Sequence, residues 1–272
     1  MQATPATPEA HAALILAVQA EGRQIAPLSD ADPGFDLPAA RRVAHAVSAA
    51  RRARGERMLG RKIGFTNVTI WDEYGVHAPI WGPVWDSTLH PADRPLPLGP
   101  LIEPRIEPEI ILRLGRAPEP GMGPEALMGC IEAVAHGFEI VQSLYPGWRF
   151  RAADTVAAFA LHGALVTGPF VPVPDNARAR CAEELGAFGI ELWCDGALMD
   201  AGAARNVLGG GPMAALAHLV AELAADPLAP PLAAGEIVST GTLTRALPVA
   251  AGERWSTRLA GLSLPDFALG FA

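Results

Sequence analysis

The sequence predicts an α+β chain in which a helical N-terminal layer lies on a β-rich body. Three observations predict it. Capping signals and helical spacing fill the first fifty-odd residues. From Leu59 onward, short apolar runs alternate with glycine and proline. Only two strong helical patterns interrupt those runs, and no repeated βαβ spacing appears.

The elements follow in order. Thr7 is a helix cap, Pro8 fits the first helical position, and Leu14, Ile15 and Val18 form one apolar stripe before Gly22 ends it. A loop rich in proline, aspartate and glycine runs from Leu28 to Phe35. A second helix starts near Pro38, carries Val43 and Val47 on one side, and stops near Gly55 in a run of arginines. Strand-length segments bounded by turn residues then follow: GRKIGFT, APIWGPVW, PRIEPEIILRL, FGIELWCDG, GEIVSTGTL and RLAGLSLPDFAL. The two helical patterns are Pro124–His136, with Leu127, Ile131 and Val134 inward, and Pro212–Ala225, with Leu216, Leu219, Val220 and Leu223 inward. Residues 1–58 thus read as a helical region and 59–272 as a β-rich catalytic domain. No low-complexity linker parts them, so they are expected to act as one unit.

Bulk properties narrow the function. A formal charge of −8 and a pI near 5.4 argue against nucleic acid, because phosphate binding needs clustered lysine and arginine. The local run Arg51, Arg52, Arg54, Arg57, Arg61, Lys62 is the exception, and reads as the solvated end of a helix rather than a polyanion site. Three cysteines form no CxxC pair, which suits a reducing compartment. The start of the chain lacks a basic n-region, and no run approaches the ~18 uninterrupted apolar residues of a membrane span. The expectation is a soluble, cytoplasmic protein acting on a small molecule.

The sharpest local feature is Glu107-Pro-Glu109. Strand residues two apart share a face, so these carboxylates project together beside Arg105. An isolated ExE on a solvated strand is common. Glu139 changes the balance, because it sits among Phe138, Ile140 and Val141, where a carboxylate is expensive to bury unless paired or metal-bound. Three glutamates without histidine or cysteine make a hard all-oxygen set, which suits Mg²⁺ or Mn²⁺ better than Zn²⁺ and leaves about three positions of an octahedron open. A 2-oxo acid fills two of these through its carboxylate and keto oxygens. Lys62 lies between apolar residues in a short strand, and two readings stand level: a snorkelling surface lysine, or a site residue that pairs with a substrate carboxylate or moves protons if burial lowers its pKa. Arg61, on the opposite strand face, is read as the surface residue.

Taken together, GRKIGFT, GVHAPIWG, IEPEIILRL, FEIVQS, DTVA and GEIVSTGTL, in this order, resemble the 2-oxo-4-pentenoate hydratase and 4-oxalocrotonate decarboxylase branch of the fumarylacetoacetate hydrolase superfamily. The likeness spans nearly the whole chain. It implies a mixed β-roll fold, a homo-oligomer, and a place in the meta-cleavage breakdown of aromatic compounds. It implies Glu107, Glu109 and Glu139 as ligands of Mg²⁺ or Mn²⁺, and Lys62 as an active-site residue near the substrate carboxylate.

There are departures from the family pattern. Ile80 stands where the family often has a carboxylate, and His77 is the candidate replacement, weighed against a surface role. Ala158, Phe159 and Leu161 replace polar residues, and the serine–arginine pair after the third glutamate reads Ser143-Leu144. These changes point to a more apolar pocket. Ser143, Trp81, Trp148 and Arg149 are its candidate substrate contacts, with core packing the alternative for the tryptophans and solvation for Arg149 and Arg151. The expected reaction is a lyase reaction: hydration of a 2-hydroxy-2,4-dienoate to a 4-hydroxy-2-oxo acid. Decarboxylation of a 2-oxo diacid such as 4-oxalocrotonate is the alternative. Hydrolytic C–C cleavage ranks behind both, and a non-catalytic metal-binding member is the reading from another class.

Overall fold

The computed structural model describes residues 6–272. The N-terminal layer comprises α1 (Pro8–Ala20), α2 (Leu28–Ala31) and α3 (Leu37–Ala53). Its caps are those the sequence signals: Thr7 accepts from the Ala10 amide, and Asp36 accepts from the Ala39 amide ahead of the second long helix. Ala12, Ile15, Leu16 and Val18 form the buried face of α1, whereas Leu14 lies 38% exposed and is not part of the stripe. One helical turn, α2, interrupts the expected loop.

The body follows as β1 (Met58–Gly64), α4 (Trp71–Tyr74), β2 (Ile80–Trp85), β3 (Leu89–Pro91), β4 (Arg105–Leu114), α5 (Pro124–Met128) and β5 (Ile131–Val141). Then come α6 (Ala152–Ala157), β6 (His162–Thr167), β7 (Val171–Pro172), α7 (Arg178–Ala187), β8 (Gly189–Cys194), β9 (Ala197–Ala203) and α8 (Pro212–Ala225). The chain closes with β10 (Ile237–Ser239), β11 (Leu247–Pro248), β12 (Arg254–Ala260) and β13 (Phe267–Gly270). The large mixed sheet runs β2-β1-β10-β4-β5-β6-β3, with β11 beside β4 and β7 beside β5. A second sheet runs β13-β12-β8-β9. The α+β class is thus observed.

One expected helix is mostly strand. The helix at Pro124 stops at Met128, and Ile131–Val141 is the central strand β5. Glu132 alone is exposed along it. A strand covered on both faces loses the alternation that marks a half-buried one, so Leu127, Ile131 and Val134 satisfied helical spacing by accident.

The large sheet is covered on both sides. On one face Ile110, Leu112 and Leu114 of β4 pack with Leu216, Leu219 and Leu223 of α8. Farther along the same face, Ile106, Phe138 and Ile140 meet Trp255, Phe267 and Leu269 of the second sheet. A separate core joins α1, α2 and α3 to α6 through Ile15, Val18, Leu28, Val43, Ala157 and Phe159. Burial of both faces corrects the reading of Arg61: it does lie opposite Lys62, but it is 0% exposed and pairs with Glu236 at 3.0 Å. Of the arginine run, Arg52, Arg54 and Arg57 are exposed, while Arg51 is buried over the Trp85 and Phe159 rings. All three cysteines carry free thiols. Among the described residues no helix is long and apolar enough to cross a membrane.

Candidate metal centre and active site

Strand register assembles the acidic cluster. In the antiparallel β4–β5 pair, Glu107 stands directly opposite Glu139, and Glu109 opposite Gly137. Directly opposed residues share a face, so Glu107 and Glu139 are neighbours and Glu109 is the next residue along that face. One carboxylate oxygen from each lies within 4.8 Å of the others. Glu109 and Glu139 are fully buried and Glu107 nearly so. Lys62 reaches the same face through β1 and β10, its Cα paired with Ser239.

The surroundings hold two of the carboxylates, Glu109 and Glu139, by one oxygen each. Glu109 Oε2 accepts from Ser239 Oγ at 2.6 Å and from the Gly241 amide at 2.9 Å, while Oε1 has no hydrogen-bond partner. Glu139 Oε1 lies 2.7 Å from His162 Nδ1. Its Oε2 lies 3.3 Å from Lys62 Nζ but makes no well-formed hydrogen bond. Lys62 Nζ donates to the Ala160 carbonyl at 2.8 Å.

The charges are strongly coupled. Burial, with the neighbouring Glu139 charge, pushes the Glu107 carboxyl up to about 8 against the pull of Lys62 and Arg105. Burial also drives Glu109 well above the usual carboxylate range, reinforced by Glu139 and Glu107. Burial acts on Glu139 in the same upward sense, but the Lys62 charge and the His162 hydrogen bond outweigh it and hold Glu139 low. For Lys62, burial alone would lower the ammonium; the carboxylates of Glu139, Glu107 and Glu109 reverse this and raise it. Without a bound cation, the surrounding carboxylates thus favour the ammonium form of Lys62.

These residues fit a hard divalent cation. Buried acceptors are rarely left without partners, and among the described residues the two orphaned side-chain oxygens belong to two of the three clustered carboxylates. One ammonium against three buried carboxylates leaves a deficit of positive charge, and an all-oxygen donor set is that of Mg²⁺, Mn²⁺ or Ca²⁺.

Beside Lys62 and Glu107 opens a narrow cleft walled by Phe65, Val141, Trp148, Leu161 and Ala246. Trp148 is part of this wall. The Arg105 guanidinium stacks on its ring at 4.4 Å.

Other candidates fall elsewhere. His77 is exposed, 3.9 Å from the exposed Asp72, and does not line this cavity. Ser143 is fully buried, and its hydroxyl is spent locally, donating to the Tyr145 carbonyl at 2.7 Å and accepting from the Tyr145 amide. Arg149 and Arg151 are exposed and absent from the wall. Trp81 lines a different, larger cavity between α3, α6 and α8, together with Ile80, Trp85 and Phe159. Sequence reasoning passed over Ser239, Gly241, His162 and the Ala160 carbonyl. Only His162, a lone imidazole inside the apolar stretch after DTVA, carried a visible signal.

The chain is 34% identical over 254 residues to the 2-keto-4-pentenoate hydratase of Burkholderia vietnamiensis, covering 92% of this chain and 93% of that one. It is 32% identical over 243 residues to the 2-hydroxyhexa-2,4-dienoate hydratase of Comamonas testosteroni, covering 88% and 89%. Among solved structures, it matches the 4-oxalocrotonate decarboxylase from Pseudomonas putida G7, complexed with magnesium and adipate, with a TM-score of 0.88, 25% identity and 97% of each chain covered. The fumarylpyruvate hydrolase of Pseudomonas aeruginosa, in complex with Mn²⁺ and pyruvate, matches in fold at a TM-score of 0.59, 15% identity, and 79% and 89% coverage. No family model matches the chain.

Proposed function

The chain belongs to the 2-keto-4-pentenoate hydratase and 4-oxalocrotonate decarboxylase branch of the fumarylacetoacetate hydrolase superfamily, a group of lyases, and from that premise we propose that it hydrates a 2-hydroxy-2,4-dienoate with an uncharged tail. The observation that carries the choice is the cavity wall. Beyond the acidic cluster it offers Lys62 as its only cation among the described residues, and the rest is apolar. A second carboxylate on the substrate would be set against these apolar side chains, with the Arg105 guanidinium engaged on the Trp148 ring rather than lining the cleft, which is costly.

In this reading Glu107, Glu109 and Glu139 hold Mg²⁺ or Mn²⁺. The ion, when bound, supplies Lewis-acid stabilisation of negative charge at the substrate 2-oxygen. The ammonium of Lys62, anchored by the Ala160 carbonyl and the Glu139 charge, donates a further hydrogen bond to the substrate carboxylate or 2-oxygen. It is charged before substrate arrives and so needs no reorganisation. Phe65, Val141, Leu161 and Trp148 align the diene and exclude bulk water from it. Proton transfer to the far end of the dienol gives the conjugated 2-oxo-3-enoate, and one water adds at the carbon conjugate to the ketone to give the 4-hydroxy-2-oxo acid. A homo-oligomer and a place in aromatic-compound catabolism belong to the same proposal; Leu198 and Met199, exposed on the edge strand β9, support the first.

Decarboxylation of a 2-oxo diacid is the second reading, favoured by the likeness to the decarboxylase structure. A panel of 2-hydroxydienoates and 2-oxo diacids with Mg²⁺ or Mn²⁺ separates them by following loss of dienol absorbance and CO₂ release. The hydratase reading expects turnover of monocarboxylate dienoates without CO₂, and turnover of diacids alone would overturn it. Glu109→Ala should abolish turnover, and Lys62→Met should lower kcat roughly 100-fold, the usual loss when one preorganised donor to an oxyanion is removed. Full activity in Glu109→Ala would remove the metal from the mechanism.

A further inference from the structure

We infer that His162 is a positioning residue, one that fixes Glu139 so that a single oxygen of this carboxylate faces the metal position. The inference rests on the reading of Glu139 as a ligand and adds a residue to it.

The geometry comes from two ladders. His162 opens β6 and pairs with Val141 of β5 across a bulge between Ile140 and Val141. The bulge brings a residue two places along β5 from Glu139 against the start of β6, and the imidazole turns toward the carboxylate. The ring is 2% exposed and both nitrogens are engaged: Nδ1 lies 2.7 Å from Glu139 Oε1, and Nε2 lies 2.9 Å from Thr88 Oγ1. An ionised carboxylate only accepts, so Nδ1 carries the hydrogen. Thr88 is fixed in turn: its hydroxyl lies 3.1 Å from both the amide and the carbonyl of Trp85. A relay thus runs from the rigid turn after β2, through Thr88 and the imidazole, to one oxygen of Glu139.

The consequence is visible in the other oxygen. Glu139 Oε2, turned away from the imidazole, is among the buried acceptors without a hydrogen-bond partner, and it belongs to the cluster shared with Glu107 and Glu109. Glu109 shows the same arrangement built from other parts, Ser239 and the Gly241 amide holding Oε2 while Oε1 is left free. Two carboxylates on adjacent strands are each tied by one oxygen through outward groups and each present the second inward. A carboxylate free to rotate would lose this arrangement, or chelate with both oxygens and change the number of open positions. Residues that hold ligands in this way typically contribute 10–100-fold to metal affinity.

The experiment measures Mn²⁺ affinity of the full-length protein by electron paramagnetic resonance, alongside the melting temperature of the metal-free form. His162→Leu should weaken Mn²⁺ binding by roughly 10–100-fold. His162→Asn, which keeps a donor near the Nδ1 position, should restore affinity to within a few-fold of the parent protein. Thr88→Val, nearly isosteric and remote from the carboxylates, should fall between, and it tests the relay even if His162→Leu does not fold. Parent-like affinity in both His162→Leu and Thr88→Val would overturn the positioning role and leave the metal site standing. An unaltered Mn²⁺ affinity in Glu109→Ala, or no binding by the parent, would overturn both. A fall in the melting temperature of His162→Leu with parent-like Mn²⁺ affinity would assign His162 to packing alone.

Discussion

Gly82 stands opposite Lys62 in the β1–β2 ladder, and its value there is space. A Cβ at this position would come within 2.8 Å of the Phe159 carbonyl oxygen and 3.1 Å of the Ala160 Cβ. Those atoms belong to an unusual stretch: Phe159, Ala160 and Leu161 have φ of 58°, 52° and 63° in succession. Each such residue costs about 1–2 kcal/mol, so the run persists only because its surroundings hold it. The Leu161 amide donates to the Ala158 carbonyl, the Gln142 amide donates to the Leu161 carbonyl, and Lys62 Nζ donates to the Ala160 carbonyl. Gly82→Ala should therefore displace the Ala160 carbonyl and with it the ammonium. We expect kcat to fall at least roughly tenfold, since misplacing a catalytic group by about 1 Å costs up to 100-fold. Mn²⁺ affinity should stay near that of the parent, because none of the three glutamates is touched. Steady-state kinetics beside a metal titration reads the two effects, and an unchanged kcat would show that the turn tolerates the methyl. At this scale Glu107, Glu109 and Glu139 were legible, because a two-residue strand period and the expense of an isolated buried charge are local facts. His162 was not, because its contact with Glu139 spans 23 residues and depends on a bulge that no spacing announces.

Between elements, the N-terminal layer is tied to the body by a two-rung clamp. Arg41 and His45, one turn apart on α3, meet Glu222 and Asp226 at the end of α8, both at 2.9 Å. Asp226 is buried, and burial pushes its carboxyl up, but the hydrogen bonds from His45 and the Leu228 amide outweigh that and hold it below the ordinary range. The sign follows from linkage. A carboxylate depressed in the folded state contributes stability above its unfolded pKa and loses it as pH falls through the folded value. Asp226→Asn should cost about 1 kcal/mol at pH 7 and show a smaller acid-side loss than the parent. Urea midpoints from pH 7 down to pH 3 measure both, and parallel curves for the two proteins would show that the rung contributes nothing. The clamp could not be read from the sequence, where its halves lie 181 residues apart. Elements with one wet face, α3 and α8, were read within a residue or two. The stretch after Met128 was misread because a doubly covered strand has no polar face to betray its period, and Arg61 was misplaced for the same reason.

At the scale of the whole molecule, the acidic cluster couples stability to pH and to metal. Without a cation, Glu107 keeps its proton up to about 8 in the folded chain, whereas in the unfolded chain it releases it in the ordinary carboxylate range. Between those limits the folded state binds more protons at Glu107, so this residue's contribution to the stability of the metal-free protein falls as pH rises toward about 8. Metal binding requires ionised ligands and displaces those protons, so affinity must rise over the same window. Mn²⁺ at 100 times its Kd stabilises the fold by about 2.7 kcal/mol. For a chain of this size that is a rise in Tm of roughly 5–10 °C. The rise at fixed Mn²⁺ concentration should be larger at pH 8 than at pH 6, should vanish with a chelator, and should be absent in Glu109→Ala at either pH. Differential scanning calorimetry supplies every comparison. A shift equal at both pH values would mean that the carboxylates are already ionised without the cation, and that the desolvation invoked for Glu107 and Glu109 is relieved by something other than a proton.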